Sequence, residues 1–198
     1  MMKKSRKYLA AASCLFLSAP VSLQAQERLV KAAASETDVA ASSKSSKQFE
    51  VYLTGYTYWD NTPPGSAEIA RPVLRNKAGG TGTWQSPITI AVGHRIDNGR
   101  QKLDFPAGTR FYLPRLQKYA IVEDVCGDGP TPQNGPCHSG YKGRPWLDIW
   151  LGGKSMSAAD ADACARRITA VQPIILDPPR DLPVHKGEIA SNGCKVFG

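Results

Sequence analysis

Short apolar runs separated by Gly, Pro, Asn and Asp make up most of the chain from Phe49 onward. Runs of this length with turn residues between them are typical of an all-β barrel or sandwich. The pattern predicts strands at Phe49–Trp59, Ile88–Val92, Arg110–Tyr112, Tyr119–Val125, Trp146–Leu151, Ile168–Leu176 and near Gly187–Ile189. It predicts one helix, Ser157–Arg167, because Ser157 is a favoured N-cap and the charges at both ends suit the helix dipole.

The run Trp146–Leu151 carries the clearest chemical signal. Strand alternation puts Leu147, Ile149 and Leu151 on one face, which suits a core. The other face holds Asp148 between Trp146 and Trp150. Aromatic rings beside an acid are typical of proteins that bind and cleave sugars.

Asp148 is therefore the first candidate catalytic residue. Burial beside two indoles disfavours the charged form of a carboxyl group and raises its pKa. Glycosidic cleavage needs such a protonated acid, because the leaving oxygen must receive a proton. The plainer alternative is an ordinary Asp that faces solvent from a strand.

Three further residues are candidates, each with a structural alternative. Asp124, at the end of an apolar run, either supports a catalytic acid or caps the turn that follows. Asp60, which strand alternation places beside Tyr56 and Tyr58, is either a second carboxylate that activates water or a turn initiator. His94 follows a predicted strand. It is either an acid, a base or a hydrogen-bonding group of the site, or an incidental loop histidine.

Other kinds of site lack a signal in the sequence. No serine lies in a nucleophile-elbow context, and no His/Cys spacing is typical of a metal site. The glycine-rich segment 78–84 is not followed by a predicted helix, which argues against a phosphate-binding loop. We therefore predict neither a metal nor a cofactor.

The N-terminus has the pattern of a secretory signal peptide. A basic region, an apolar run over Tyr8–Val21 and the exit Leu23–Gln24–Ala25 predict cleavage after Ala25. The alternatives are an uncleaved membrane anchor and a lipoprotein acylated at Cys14. Residues 26–48, rich in Ala, Ser, Lys and Glu, predict a disordered linker, and residues 49–198 one domain. We expect a periplasmic or extracellular protein.

Cysteine count and charge agree with export. Removal of the signal leaves Cys126, Cys137, Cys164 and Cys194, an even number that predicts two disulfides with three possible connectivities. We favour Cys126–Cys137 and Cys164–Cys194; free or metal-bound thiols are the alternative. The net charge of +8 falls to +4, since four basic residues and no acid leave with the signal. That modest charge fits an anionic envelope polymer and excludes a nucleic-acid binder.

Three segments in order resemble the six-stranded double-psi β-barrel proteins that act on cell-wall glycans. They are Phe105–Pro114, Tyr119–Asp124 and Trp146–Trp150. The succession is similar to that of the three-aspartate (3D) domain, rare lipoprotein A, expansins and family-45 glycoside hydrolases. The resemblance covers roughly residues 50–151. It implies a six-stranded double-psi β-barrel, here with long loops, one short helix and two disulfides.

The resemblance also implies roles for residues. Asp148 matches the essential acid of three-aspartate lytic transglycosylases, expansins and family-45 enzymes. Asp124 matches an acid of the three-aspartate domain and of rare lipoprotein A, but Val–Cys–Gly follows it here where rare lipoprotein A has Arg–Gly–Pro. His94 lies near the working histidine of rare lipoprotein A. Tyr58–Trp59–Asp60 is similar to the Tyr–Trp–Asp of family-45 enzymes, whose aspartate is the base, although the two cysteines that follow there are absent.

Three classes of function follow. The first is a glycan-cleaving protein, most of all a lytic transglycosylase that acts on peptidoglycan with Asp148 as its acid. The second is a non-catalytic, expansin-like module that binds peptidoglycan or another wall polysaccharide through its aromatic residues, Trp146, Trp150, Tyr56 and Tyr58. The third is a disulfide-stapled β-barrel that binds another protein as an inhibitor or effector. We expect a monomer without stable membrane insertion after signal cleavage.

Overall fold

The computed structural model describes residues 45–198, so the predicted signal peptide 1–25 and the predicted linker as far as residue 44 lie outside the described residues. The described part is mostly β. Its strands are β1 (Lys47–Tyr56), β2 (Ile88–Val92), β3 (His94–Asp97), β4 (Arg100–Leu103), β5 (Arg110–Leu113), β6 (Lys118–Val125), β7 (Trp146–Trp150) and β8 (Ala170–Leu176). Its helices are a 3-10 turn (Pro132–Asn134), α1 (Pro136–Ser139) and α2 (Ala158–Ile168).

Six of these strands close into a barrel in the order β1-β7-β2-β6-β5-β8, and β3 and β4 form a separate hairpin. The predicted all-β barrel is thus confirmed. The pairs β1–β7 and β2–β6 are parallel, while the other four neighbouring pairs are antiparallel. Exchanging β1 with β6, β2 with β7 and β5 with β8 leaves this order and every pair orientation unchanged. The barrel therefore has an approximate two-fold symmetry of strand pairing.

The core fills the interior of the barrel. Strand alternation points one face of each strand inward, and the fully buried side chains include Val51, Leu53, Ile88, Ile90, Phe111, Leu113, Leu147 and Ile149. β2 is buried at all five positions, because loop residues cover its outer face. The backbone N–H of Thr89 in β2 is donated to the carbonyl of Gly79 in that loop. α2 packs beside β1, where Gly55 leaves room for Ile168. No helix within residues 45–198 is long and apolar enough to cross a bilayer.

Some element boundaries differ from the predictions. β1 begins at Lys47 and ends at Tyr56, so Tyr58 and Asp60 lie in a turn. Ile168 ends α2 instead of beginning a strand. Gly187–Ile189 forms no strand: the Gly187 N–H is donated to the Thr81 carbonyl, while the Glu188 and Ile189 carbonyls accept from the Asn192 and Cys194 N–H groups in local turns.

The hairpin of β3 and β4 was not predicted. Its turn residues Asn98 and Gly99 have φ values of 50° and 73°, as the two central positions of a type I′ turn require. Asn-Gly is the strongest short-range hairpin signal in a sequence. The polar flanking residues conceal it, because they lack the apolar alternation expected of a strand.

Both favoured disulfides are present. Cys126–Cys137 closes the loop that contains the 3-10 turn, with the sulfurs 11 residues apart in sequence. Cys164–Cys194, separated by 30 residues, ties α2 to the C-terminal segment. Each disulfide anchors a segment that the barrel strands do not hold.

The long loop between β1 and β2 is fastened by Glu123, a fully buried residue of β6. Its Oε1 accepts hydrogen bonds from the backbone N–H groups of Leu74 and Arg75, at 2.7 and 3.3 Å. Its Oε2 accepts one from the Thr89 hydroxyl at 3.0 Å and lies 3.5 Å from the Arg75 guanidinium. A buried charge is tolerated only with partners of this kind.

We expect Glu123→Gln to lower the free energy of unfolding by about 1–3 kcal/mol. The amide NH₂ group would face donors instead of accepting from them, and the pair with Arg75 would lose its charge. Glu50→Gln is the matched control, because Glu50 pairs with Arg144 on the surface and such pairs contribute about 0–1 kcal/mol. Urea unfolding measures both; equal losses would contradict the anchoring role.

Candidate functional site

Four neighbouring barrel strands contribute one residue each to a single row. In register across the sheet these are Asp124 on β6, Ala91 on β2, Asp148 on β7 and Thr54 on β1. Residues opposite each other on adjacent strands share a face. At a strand spacing of about 4.8 Å, the Cα atoms of the two aspartates lie about 10 Å apart. The small side chain of Ala91 leaves the space between them open.

The row opens into a cavity of about 390 Å³. Within the described part of the chain, its lining includes five carboxylic side chains and no Lys, Arg or His; the five belong to Asp60, Glu68, Asp124, Asp128 and Asp148. Like charges so close together disfavour ionisation. Two of these carboxyl groups, those of Asp124 and Asp148, have a raised pKa.

Asp148 is partly buried in this cavity. The pKa of its carboxyl group is raised to about 7: burial is the largest cause, the charges of Asp60 and Asp124 add to the rise, and a hydrogen bond from Thr54 opposes it. That hydrogen bond joins the Thr54 hydroxyl to Asp148 Oδ1 at 2.7 Å. At neutral pH, Asp148 is thus divided between the acid and the carboxylate, as a group that both gives and takes a proton requires.

Asp124 lines the same cavity but is more tightly held. Its Oδ1 accepts from the Ala70 and Val125 backbone N–H groups at 3.0 and 2.9 Å, and its Oδ2 accepts from the Tyr56 hydroxyl at 2.9 Å. Burial raises the pKa of Asp124, and these three hydrogen bonds oppose the rise. Asp124 thus fastens the long loop between β1 and β2 (the covering loop). It also adds negative charge beside Asp148.

Asp60 reaches the cavity from the turn after β1. Its Oδ1 accepts from both the backbone N–H and the hydroxyl of Thr57, at 2.6 Å each. These bonds tie Asp60 back to the turn that it ends, whereas the alternative from sequence was a turn that Asp60 initiates. The turn, not strand alternation, brings the exposed Asp60 into the cavity lining.

His94 is not brought together with these acids. It is the first residue of β3, is 4% exposed and does not line the cavity. Burial lowers the pKa of its imidazole. Its Nδ1 has no hydrogen-bond partner within residues 45–198.

The expected aromatic platforms are corrected in part. Trp150 and Tyr56 are only 3% and 7% exposed, and their rings pack edge to face at 5.2 Å, which leaves no ring face for a sugar. Trp146 is half-buried: its ring meets Tyr52 at 4.6 Å and its indole N–H is donated to Thr54. Packing between neighbouring strands occupies these rings, which the face assignment alone does not show.

An aromatic pair, the partly buried Tyr58 and the exposed Trp59, directly precedes the cavity residue Asp60. Trp59 is 40% exposed, and its Nε1 donates to the Gly153 carbonyl at 3.0 Å, which fixes the indole in place. The two rings are perpendicular at 5.6 Å, and Lys154 Nζ lies 5.4 Å from the Tyr58 ring centre. Tyr58 was a candidate from sequence; Trp59 was missed as a platform, although it directly precedes Asp60.

Sequence reasoning also missed Thr54, Ala91, Glu68 and Asp128 as parts of the site. Thr54 and Ala91 gain their place only from strand register, which the sequence does not display. Asp128 has a weak signal, since it follows Cys126 in the stapled loop. Within residues 45–198 no group of three or more His, Cys, Asp or Glu side chains is arranged to hold a metal ion.

The fold and site define a closed β-barrel protein with an acidic cavity beside the antiparallel pair of β2 and β7. The chain belongs to the family described as DDB_G0273701 N-terminal domain, whose profile matches residues 48–195. A Dictyostelium discoideum protein, described as uncharacterized protein DDB_G0273701/DDB_G0273221, is 31% identical over 139 residues. That match covers 69% of this chain and 54% of the relative, so the chain spans about half of the relative's length. No solved structure matches the chain.

The raised pKa of Asp148 makes a prediction about stability. A carboxyl whose folded pKa of about 7 exceeds its unfolded value binds more protons in the native state between about pH 4 and 7, so its ionisation destabilises the fold as pH rises through that window. Asp148→Asn should therefore gain stability relative to wild type at pH 8, by about 2 kcal/mol or more, and gain little at pH 4.5. Thermal unfolding at both pH values measures this; an equal difference at the two would contradict the raised pKa.

Proposed function

We propose that this protein is secreted or periplasmic and cleaves cell-wall glycan, in the manner of a lytic transglycosylase, with Asp148 as general acid and base. One observation carries the proposal: Asp148 lies in an open acidic cavity and has a pKa of about 7. An ordinary surface aspartate is ionised at that pH and has no proton to give to a leaving oxygen.

The strand pairing supports the double-psi resemblance on which the assignment of Asp148 depends. Two parallel pairs related by an approximate two-fold are what we expect of a barrel built from two interlocked halves. The axis relating β2 to β7 passes near the pair Ala91–Asp148, since these residues oppose each other at the middle of that pairing. Asp148 would thus lie at the centre of the barrel's symmetric face.

The mechanism needs one carboxyl group. Protonated Asp148 gives its proton to the glycosidic oxygen as the bond to the anomeric carbon breaks. The resulting carboxylate removes a proton from a hydroxyl of the same sugar, whose oxygen closes on the anomeric carbon to form an anhydro ring. Asp148 ends protonated, no water is consumed, and the negative charges of Asp60 and Asp124 stabilise the positive charge that develops at the anomeric carbon.

A two-acid hydrolase is a variant of this proposal. It needs a second carboxylate to activate water. Asp124 is poorly suited, because three donors already occupy its oxygens. Asp60 is better suited, because the hydrogen bonds to Thr57 engage one oxygen only.

Export is supported by the two disulfides. Such bonds persist in oxidising compartments and are rare in the cytosol. Together with the predicted signal peptide, they favour the periplasm or the cell exterior. We propose a peptidoglycan or related polysaccharide as the partner.

A second candidate is a non-catalytic, expansin-like module that binds wall polysaccharide. The observation in its favour is the exposed indole of Trp59, which packs against Tyr58 and is held in place by the Gly153 carbonyl. Aromatic faces of this kind bind the apolar face of a sugar ring, and they do so without any acid. Cleavage and binding are therefore separable by substitution.

The test of cleavage uses the mature protein and purified peptidoglycan at pH 6. We expect muropeptides with anhydro ends from wild type and at least a 100-fold lower yield from Asp148→Asn, since an amide cannot transfer the proton. Asp97→Asn, an exposed hairpin residue paired with Arg95, is the control and should match wild type. Reducing ends in place of anhydro ends would favour the hydrolase, and peptidoglycan binding with no product would sink the enzyme proposal.

The test of binding uses Trp59→Ala in a peptidoglycan pull-down. Loss of the indole should weaken binding by about 5- to 30-fold, as expected for about 1–2 kcal/mol of lost stacking. Leu74→Ala is the control, because Leu74 is 49% exposed and does not line the cavity. Unchanged binding by Trp59→Ala would remove this pair from the glycan site.

A further inference from the structure

A chain of two hydrogen bonds connects Trp146 to Asp148. Trp146 Nε1 donates to Thr54 Oγ1 at 2.8 Å, and Thr54 Oγ1 lies 2.7 Å from Asp148 Oδ1. An indole N–H is a donor only, whereas a hydroxyl has one hydrogen to give. The direction of the first bond is thus fixed, and the second depends on where the Thr54 hydrogen points.

The Thr54 hydrogen has two acceptors within reach. Asp148 Oδ1 lies at 2.7 Å and the Leu147 carbonyl at 3.4 Å. A hydroxyl donor prefers 2.5–3.0 Å, and a carboxylate is the stronger acceptor. The indole hydrogen bond also polarises the Thr54 hydroxyl and strengthens its donation. The shorter distance and the stronger acceptor direct the hydrogen to Asp148 Oδ1, and the polarisation by the indole strengthens that bond.

We propose that Trp146 is a positioning residue for Asp148: acting through Thr54, it holds a hydrogen bond on Oδ1 and so keeps the exchangeable proton on Oδ2. An oxygen that accepts the Thr54 hydrogen is a poor place for a second hydrogen, so a protonated Asp148 carries its own on the other oxygen. The consequence for catalysis rests on the proposed function. The hydrogen-bonding role itself does not.

Among the groups that face Asp148, the hydrogen bonds from Trp146 through Thr54 are the source of stabilisation for its carboxylate. β1 contributes Thr54 and Tyr56, the turn after β1 contributes Asp60, and β6 contributes Asp124. The charged members of this set are both acids and raise the pKa of Asp148. Among residues 45–198, no Lys, Arg or His lines the cavity, so the carboxylate depends on a neutral donor.

Loss of the hydrogen bonds that connect Trp146 to Asp148 should raise the titration midpoint of Asp148. The Thr54 hydrogen bond favours the carboxylate, so its loss in Thr54→Val favours the neutral acid and raises the midpoint by about 0.5–1 pH unit. In Trp146→Phe the Thr54 hydroxyl remains but is no longer polarised and is able to accept a hydrogen from a neutral Asp148. The midpoint should rise in the same direction by a smaller amount.

The experiment is a pH titration of the Asp148 carboxyl by ¹³C NMR, assigned by comparison with Asp148→Asn. Thr54→Ser should restore the wild-type midpoint, because it keeps the hydroxyl. Trp150→Phe is the matched control: Trp150 is on the same strand and face, but its Nε1 has no hydrogen-bond partner within residues 45–198. Its midpoint should equal that of wild type.

A second measurement needs no substitution. In the wild-type protein the indole ¹H and ¹⁵N signals of Trp146 should shift with pH at the midpoint of Asp148, because the hydrogen bonds are coupled. The indole signal of Trp150 should not follow that midpoint. This arm remains informative if a Trp146 variant fails to fold.

The outcomes separate the two proposals. An unshifted or lowered midpoint in Trp146→Phe, or an indole signal of Trp146 that ignores Asp148, would overturn the positioning role whatever the activity. A raised midpoint without any glycan cleavage by wild type would retain the positioning role and reject the enzyme. If wild type cleaves, Trp146→Phe should show a lower maximal rate and a basic limb of the pH profile displaced to higher pH, whereas mere structural damage lowers the rate without moving the limb.

Discussion

The pairing register of β7 between β1 and β2 is the constraint on which the rest of the site depends. It sets Asp148 opposite Thr54 on one side and Ala91 on the other, with Leu147 and Ile149 directed into the core. Because side chains alternate along a strand, a slip of one residue would bury the carboxyl in the core and expose leucine to the cavity. The hydrophobic demand of the barrel interior thereby fixes the position of the acid.

The covering loop depends on a pair of adjacent acids at the end of β6. Glu123 faces one way and accepts from Leu74 and Arg75; Asp124 faces the other way and accepts from Ala70 and Tyr56. One strand thus holds the loop from both of its faces. Fold stability and the acidity of the cavity are therefore linked: the loop's anchor also supplies the charge that raises the pKa of Asp148.

The barrel was largely predictable from sequence, because alternation in Trp146–Trp150 and turn residues between runs are local signals. The site was predictable only where local pattern decides it. Asp148 was identified as a candidate because the residues beside it on the strand distinguish the core face from the outer face. Trp150 was misassigned because the ring that packs against it, Tyr56, belongs to a strand about 90 residues away. Thr54 was missed because only the strand register gives it a role. Long-range packing, which a single sequence does not display, determined the outcomes for Trp150 and Thr54.

The closure of the barrel has a consequence for the timing of folding. β1 finds its partners in β7 and β8, so the first of the described barrel strands to be synthesised waits for the last. Such distant pairings are slow to form, because a long segment must be closed before any contact repays the lost chain entropy. Until β8 is synthesised the chain has no closed barrel. Until then the edges of β1 and β5 that pair with β8 lack their partner strand.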